Sequence, residues 1–142
     1  MADIGIALRS KLTGTSAIAT ILGTRIYPDK LPQGTALPAA VYYGISGTDE
    51  PGLSGLLGRA EQRIQIDAYA ETRTAANALA TAIRDALTSS WGRGQWGPTG
   101  AKVTVSGCVP EGGERYDTQG LGDGSDEDHY ITSRDYLIYF AG

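Results

Sequence analysis

The sequence predicts an α+β fold: a mostly antiparallel or mixed β-sheet, with helices packed on one face and long glycine-rich loops. Two segments carry that expectation. Residues 63–87 read as a strand running almost without a loop into an amphipathic helix. Ile64, Ile66 and Ala68 alternate with Arg63, Gln65 and Asp67 at the strand period of two. Leu79, Ile83 and Leu87 then recur every four residues, flanked by Ala75, Ala78, Ala82 and Ala86, whose small side chains let a helix sit close to a sheet. The second segment is 129–140, the longest strand candidate. There Tyr130, Thr132, Arg134, Tyr136, Ile138 and Phe140 alternate with Ile131, Ser133, Asp135, Leu137 and Tyr139. Strand candidates follow one another through loops instead of alternating regularly with helices, which favours antiparallel neighbours and helices on one side.

The remaining elements follow from local signals. Asp3 is placed to cap a first helix carrying Ile4, Leu8 and Leu12, stopped by Gly14. Thr15 or Ser16 opens a short second helical piece with Ile18, Ile21 and Leu22, ended by Gly23. Ile26-Tyr27 before Pro28 reads as a short extended piece, and Pro32, Gly34 and Pro38 make the following stretch irregular. Ala40–Ser46 is rich in strand formers. Gly47–Gly58 reads as a loop with four glycines and three leucines, Leu53, Leu56 and Leu57. Trp91–Gly100 is a second glycine-rich loop, which carries Trp96. Lys102–Val109 alternates as a strand, Arg115-Tyr116-Asp117 is a separate short extended piece, and 118–128 is a polar turn. The outer sheet face is expected to present Gln65, Asp67 and Arg134 to water or to a neighbour.

Composition bounds the function. A chain of 142 residues is sized for one domain, here taken as 1–142, and can hold a core without staples. Twenty glycines are about twice the average usage and imply a scaffold bearing several loops. The net charge of −4, without a basic tail, argues against sequence-independent DNA binding, which needs several cations on phosphates. One cysteine, Cys108, allows no internal disulfide. No apolar run has the length of a secretory signal or of a membrane span, so no membrane association is expected.

No catalytic constellation emerges. His129 is the only histidine, so a Ser-His-Asp triad would have to use it, and no Gly-x-Ser-x-Gly elbow accompanies it. Cys108 sits in an alternating strand as a small core residue. The carboxylates Asp123, Asp126, Glu127 and Asp128 do not follow the calcium-loop spacing, and the glycine runs do not join a strand to a helix as phosphate loops do. Neither metal nor cofactor is expected. Three leucines in a glycine-rich loop are hard to leave in water, which points to protein–protein assembly. The candidate contact residues are Leu53, Leu56, Leu57, Trp91, Trp96, Asp123, Asp126, Glu127 and Asp128.

With these residues in view, the chain resembles the tail completion, or tail terminator, proteins of long-tailed bacteriophages. The resemblance rests on Ala7-Leu8-Arg9, Ile26-Tyr27-Pro28, residues 36–43 (Ala-Leu-Pro-Ala-Ala-Val-Tyr-Tyr) and residues 65–70 (Gln-Ile-Asp-Ala-Tyr-Ala). It continues through Ala78-Leu79-Ala80, Ile83-Arg84, Ala86-Leu87, Tyr116-Asp117 and residues 134–138 (Arg-Asp-Tyr-Leu-Ile). The resemblance implies a non-enzymatic virion protein assembled in the host cytoplasm. It implies a homo-oligomeric ring, usually a hexamer, at the head-proximal end of the tail tube. Such a ring stops polymerisation of the major tail tube protein and joins a head-completion, stopper or adaptor protein of the neck. Genome DNA would pass through its lumen without specific binding, and the acidic balance suits such passage because it repels phosphates. A head-closure or stopper protein one ring higher, and a small hydrolase using His129 with the nearby carboxylates, are the competing expectations.

Overall fold

The structure is a computed structural model that describes residues 4–53, 55–120 and 128–141, with the side chains of residues 56, 57, 119, 120 and 128 outside the description. Two helices, α1 (Ile4–Thr13) and α2 (Ser16–Leu22), lead into β1 (Ile26–Pro28), β2 (Ala39–Gly52) and β3 (Gly55–Ala70). Helix α3 (Arg73–Thr88) and a 3-10 turn (Ser89–Gly92) precede β4 (Gly94–Trp96), β5 (Val103–Gly120) and β6 (Asp128–Ala141). The strands form one sheet in the order β1-β2-β3-β6-β5-β4. Among the described residues only β1 and β2 pair in parallel, and every other neighbour is antiparallel. This is the expected α+β architecture, with a mixed sheet.

Side-chain periodicity explains why the helices lie where they do. On α3, Leu79, Ile83 and Leu87 are buried as their spacing predicts. The alanines that let the helix approach are Ala76 and Ala80, both buried, whereas Ala75 and Ala78 are exposed and Ala82 and Ala86 only edge the core. The buried stripe is rotated relative to the predicted flanks because it follows the 3.6-residue period through 76, 79, 80, 83 and 87. Thr72 caps the helix, its hydroxyl accepting the Ala75 N–H at 3.1 Å. Ile4, Leu8 and Leu12 of α1 and Ile18 and Leu22 of α2 join the same core, and Gly23 ends α2 with φ 59. The predicted cap Asp3 lies outside the described residues. Cys108 is fully buried, as its place in an alternating strand suggests.

The loops are where expectation and structure part. Most of Gly47–Gly58 is not a loop: β2 and β3 continue as an arm to the pair Gly52↔Gly55, flanked by β6 as far as Arg59 and two-stranded beyond it. Glycines in this arm sit in a paired ladder with register shifts at Gly44/Ser46 and Asp49/Pro51, so they serve bulged strand backbone, which reads as turn signal in sequence. Lys102–Val109 and Arg115–Asp117 likewise belong to one strand, β5, interrupted by a bulge between Glu111 and Arg115 that contains Gly112 and Gly113. Of the predicted polar turn 118–128, residues 118–120 extend β5 and Asp128 opens β6.

The Trp91–Gly100 loop also gains order, from the 3-10 turn and from β4. Gly92 has φ 69, and a Cβ there would stand 2.5 Å from the Leu87 carbonyl oxygen and 2.9 Å from Cys108 Cβ. Gly92→Ala is therefore expected to cost about 1–3 kcal/mol through overpacking, seen as a lower urea midpoint with an unchanged slope.

Candidate interaction surfaces

Residue parity along β3 and β6 divides the sheet into two faces. Ile64↔Tyr136, Ile66↔Arg134 and Ala68↔Thr132 are paired on the helix side; Gln65↔Asp135 and Asp67↔Ser133 are paired on the opposite side. Arg134 is thus on the helix-side parity, not on the outer face where it was expected, because it shares the parity of Tyr136 and Thr132. Asp67 is on the expected face but is only 8% exposed. Its carboxylate is enclosed by partners: Oδ1 accepts from Ser133 Oγ at 2.6 Å and Gln65 Nε2 at 2.9 Å, and Oδ2 from Tyr43 OH at 3.1 Å. Gln65 Nε2 also donates to Tyr43 OH. Burial, with the Asp67 charge and hydrogen bond, pushes the Tyr43 phenol up to about 12, so it remains a donor.

A second network adjoins it. Asp135 accepts from Arg63 Nε at 2.8 Å on Oδ2 and from Arg115 Nη2 at 2.6 Å on Oδ1, uniting β3, β6 and β5. Burial alone would raise the Asp135 pKa, but the hydrogen bonds and charges of Arg115 and Arg63 outweigh it and hold the carboxyl below its usual range. A depressed carboxyl stabilises the fold above its unfolded pKa of about 3.9, and that stabilisation disappears as pH falls through the lower folded value. Asp135→Asn should cost about 1–3 kcal/mol at pH 7, with both arginines able to turn to water, and less at an acid pH below the unfolded carboxyl's value. Urea titrations at the two pH values measure that difference. Equal losses at both would mean that the charge contributes nothing.

A third cluster ties α3 to the β5–β6 hairpin. Arg73 donates to the Ile131 and Asp117 carbonyls at 2.7 and 2.6 Å, and its guanidinium lies 5.4 and 5.5 Å from the Tyr116 and Tyr130 ring centres. Thr132 Oγ1 donates to Asn77 Oδ1 at 2.6 Å. None of these three networks was singled out from the sequence. Their only legible trace is that Arg63, Gln65 and Asp67, like Ser133 and Asp135, share one parity.

The residues singled out from the sequence scatter. Leu53 stands fully exposed at the end of the arm, and Trp91 is 54% exposed with a left-handed φ of 57. Trp96 leaves the contact set: it is 2% exposed and its indole N–H donates to the Gly92 carbonyl at 2.9 Å, so it is a core residue. Leu56 and Leu57 lie on β3, in the arm, and Asp128 opens β6. Asp123, Asp126 and Glu127 lie outside the described residues. His129 is half-buried and meets Tyr69 edge-to-face at 6.2 Å. Burial pushes the Cys108 thiol up to about 12, the opposite of an activated nucleophile. Among the described residues no group of His, Cys, Asp and Glu could hold a metal ion, and no helix is long and apolar enough to cross a membrane.

The described residues thus form a sheet scaffold cross-linked by buried polar networks, with an arm at one end. Residues 6–104 match the family of tail completion protein gp17, and the chain belongs to that family. It is accordingly a structural protein of a phage-type virion tail, and family membership points away from enzymatic activity. A chain of a solved virion of a native gene transfer agent particle is similar in structure, with a TM-score of 0.60 at 16% identity. The similarity covers 99% of this chain and 96% of that one, and at such identity it speaks for a shared fold. A comparison with curated protein sequences gives no match.

Proposed function

We propose that this chain forms a closed ring, a hexamer in the family's usual form, at the head-proximal end of a tail tube. There it ends tube polymerisation and joins the tail to the neck. The family match over residues 6–104 carries this reading. Its partners are further copies of itself, the tube protein, and a stopper or adaptor protein of the neck. The architecture supports it physically. A head-to-tail ring requires two different complementary surfaces per subunit, and an asymmetric sheet with an arm at one end offers them. Beyond the pair Arg59↔Ala141 the tip of the arm, Pro51–Gly52 against Gly55–Leu56, has no third strand among the described residues, and such two-stranded ribbons are marginal unless they pack on something.

The test is imaging of purified chain added to polymerising tube protein. Rings capping tube ends, with tubes that stop growing, are the expected result. A protein that never caps tubes in any context would refute the reading. Contact confined to neck proteins would move the subunit to the stopper position.

A further inference from the structure

The charges of this chain are segregated along the strand direction. Residues 4–24 and 88–106 together contain Arg9, Lys11, Arg93 and Lys102 and not one carboxylate, although the whole chain is at −4. The fold brings these two segments together: α1 packs against β4, and the Lys11 ammonium lies 5.9 Å from the Trp96 ring centre. A polar cleft of about 200 Å³ runs between them, lined by residues that include Ser10, Lys11, Thr15 and Gln95. Arg9 spends its guanidinium on the Ile26 and Thr24 carbonyls. Lys11, Arg93 and Lys102 form no ion pair with any described residue, and Arg93 and Lys102 are exposed.

The other end of the same sheet margin bears carboxylates. Strand β5 beyond Gly107 carries Glu111, Glu114 and Asp117; its own cation, Arg115, is held by Asp135, and Arg73 of α3 is occupied by the Asp117 and Ile131 carbonyls and the Tyr116 and Tyr130 rings. The register places the two regions apart: Thr104 pairs with Ala141 at the basic end, and Asp117 pairs with Ile131 ten residues along β6. Ten residues of strand span roughly 33 Å, several Debye lengths at physiological salt, so the two patches cannot neutralise one another within a subunit.

We propose that the basic end, Lys11, Arg93 and Lys102 around the α1–β4 cleft, docks the acidic β5 segment of a second copy, Glu111, Glu114 and Asp117, and that this contact orders neighbours in the ring. This rests on the ring reading above. Two surfaces of opposite charge at non-overlapping places make a heterologous contact, which repeats head-to-tail and suppresses the two-fold pairing that would bring like charges together. Acidic peptide from another copy suits the cleft better than nucleic acid does, because three cations that form no ion pair among the described residues neutralise too few phosphates in a chain of net negative charge.

The test uses two full-length variants, Lys11→Glu/Arg93→Glu/Lys102→Glu and Glu111→Lys/Glu114→Lys/Asp117→Lys, both checked for native melting. Each alone should assemble at least tenfold more weakly than the parent chain, on tubes or in native mass spectrometry. Their equimolar mixture should restore rings of alternating composition, and parent rings should loosen as salt rises. If both variants assemble as the parent does, or if the mixture fails to rescue them, the docking is overturned while the ring stands. If the parent never forms rings, the ring reading itself fails. If the basic-end variant instead loses affinity for a duplex DNA probe without loss of assembly, the patch serves nucleic acid and the docking is likewise overturned.

Discussion

Trp96→Ala is expected to destabilise the protein by about 3–5 kcal/mol, lowering the melting temperature by on the order of 10 °C. The residue occupies a strand of three residues on the sheet margin, where an exposed ring would be unremarkable. Yet it is 2% exposed, and its N–H is satisfied by the Gly92 carbonyl at 2.9 Å. Truncation would leave a large cavity between α1 and the sheet and an unpaired buried carbonyl. Trp91→Ala supplies the contrast: with a 54% exposed ring it should shift stability by no more than about 0.5 kcal/mol. Calorimetry on both variants measures the difference, and similar losses would mean that the two indoles have been assigned to the wrong environments.

Ile83→Ala should cost about 2–5 kcal/mol. Ile83 is 1% exposed at the middle of the α3 stripe, so its removal opens a void that neither a rigid helix nor a six-stranded sheet can easily close. Because α3 bridges β3, β5 and β6, the loss should appear as a single cooperative shift of the whole unfolding curve. A negligible change in midpoint would place α3 off the sheet.

Much of the fold was legible because α3 and β6 repeat their apolar residues over enough positions for period to identify them. Helices α1 and α2 were readable for the same reason, with Gly14 and Gly23 as stops. Most of the arm at Gly47–Gly58 was misread as loop because local reading scores glycine as a breaker, whereas pairing with a neighbouring strand is a non-local event. The bulge at Glu111–Arg115 split β5 into two apparent pieces in the same way. Among the candidate contact residues, Leu53 and Trp91 are exposed, while Trp96 went inside. Tryptophan in a glycine-rich segment has no periodicity of its own, so only the packing of α1 over β4 could place it.

The polar networks carry the same lesson. Asp67 and Asp135 have the parity of an outer face, and a sheet face without helices suggests solvent. Their burial follows from partners on other strands: Tyr43 on β2, Ser133 on β6, and Arg63 and Arg115 on either side of Asp135. Likewise, the segregation of charge is invisible in a net value of −4 and becomes a property of surfaces only when α1 meets β4.

The amino-acid order by itself determined the class of fold and the helix that covers the sheet, since periodicity is a local quantity. Which strands pair, how far the arm reaches, which indole is buried and where unlike charges face outward were decided by tertiary structure. Each depends on atoms from segments distant in the chain, and no local pattern records which of them will meet.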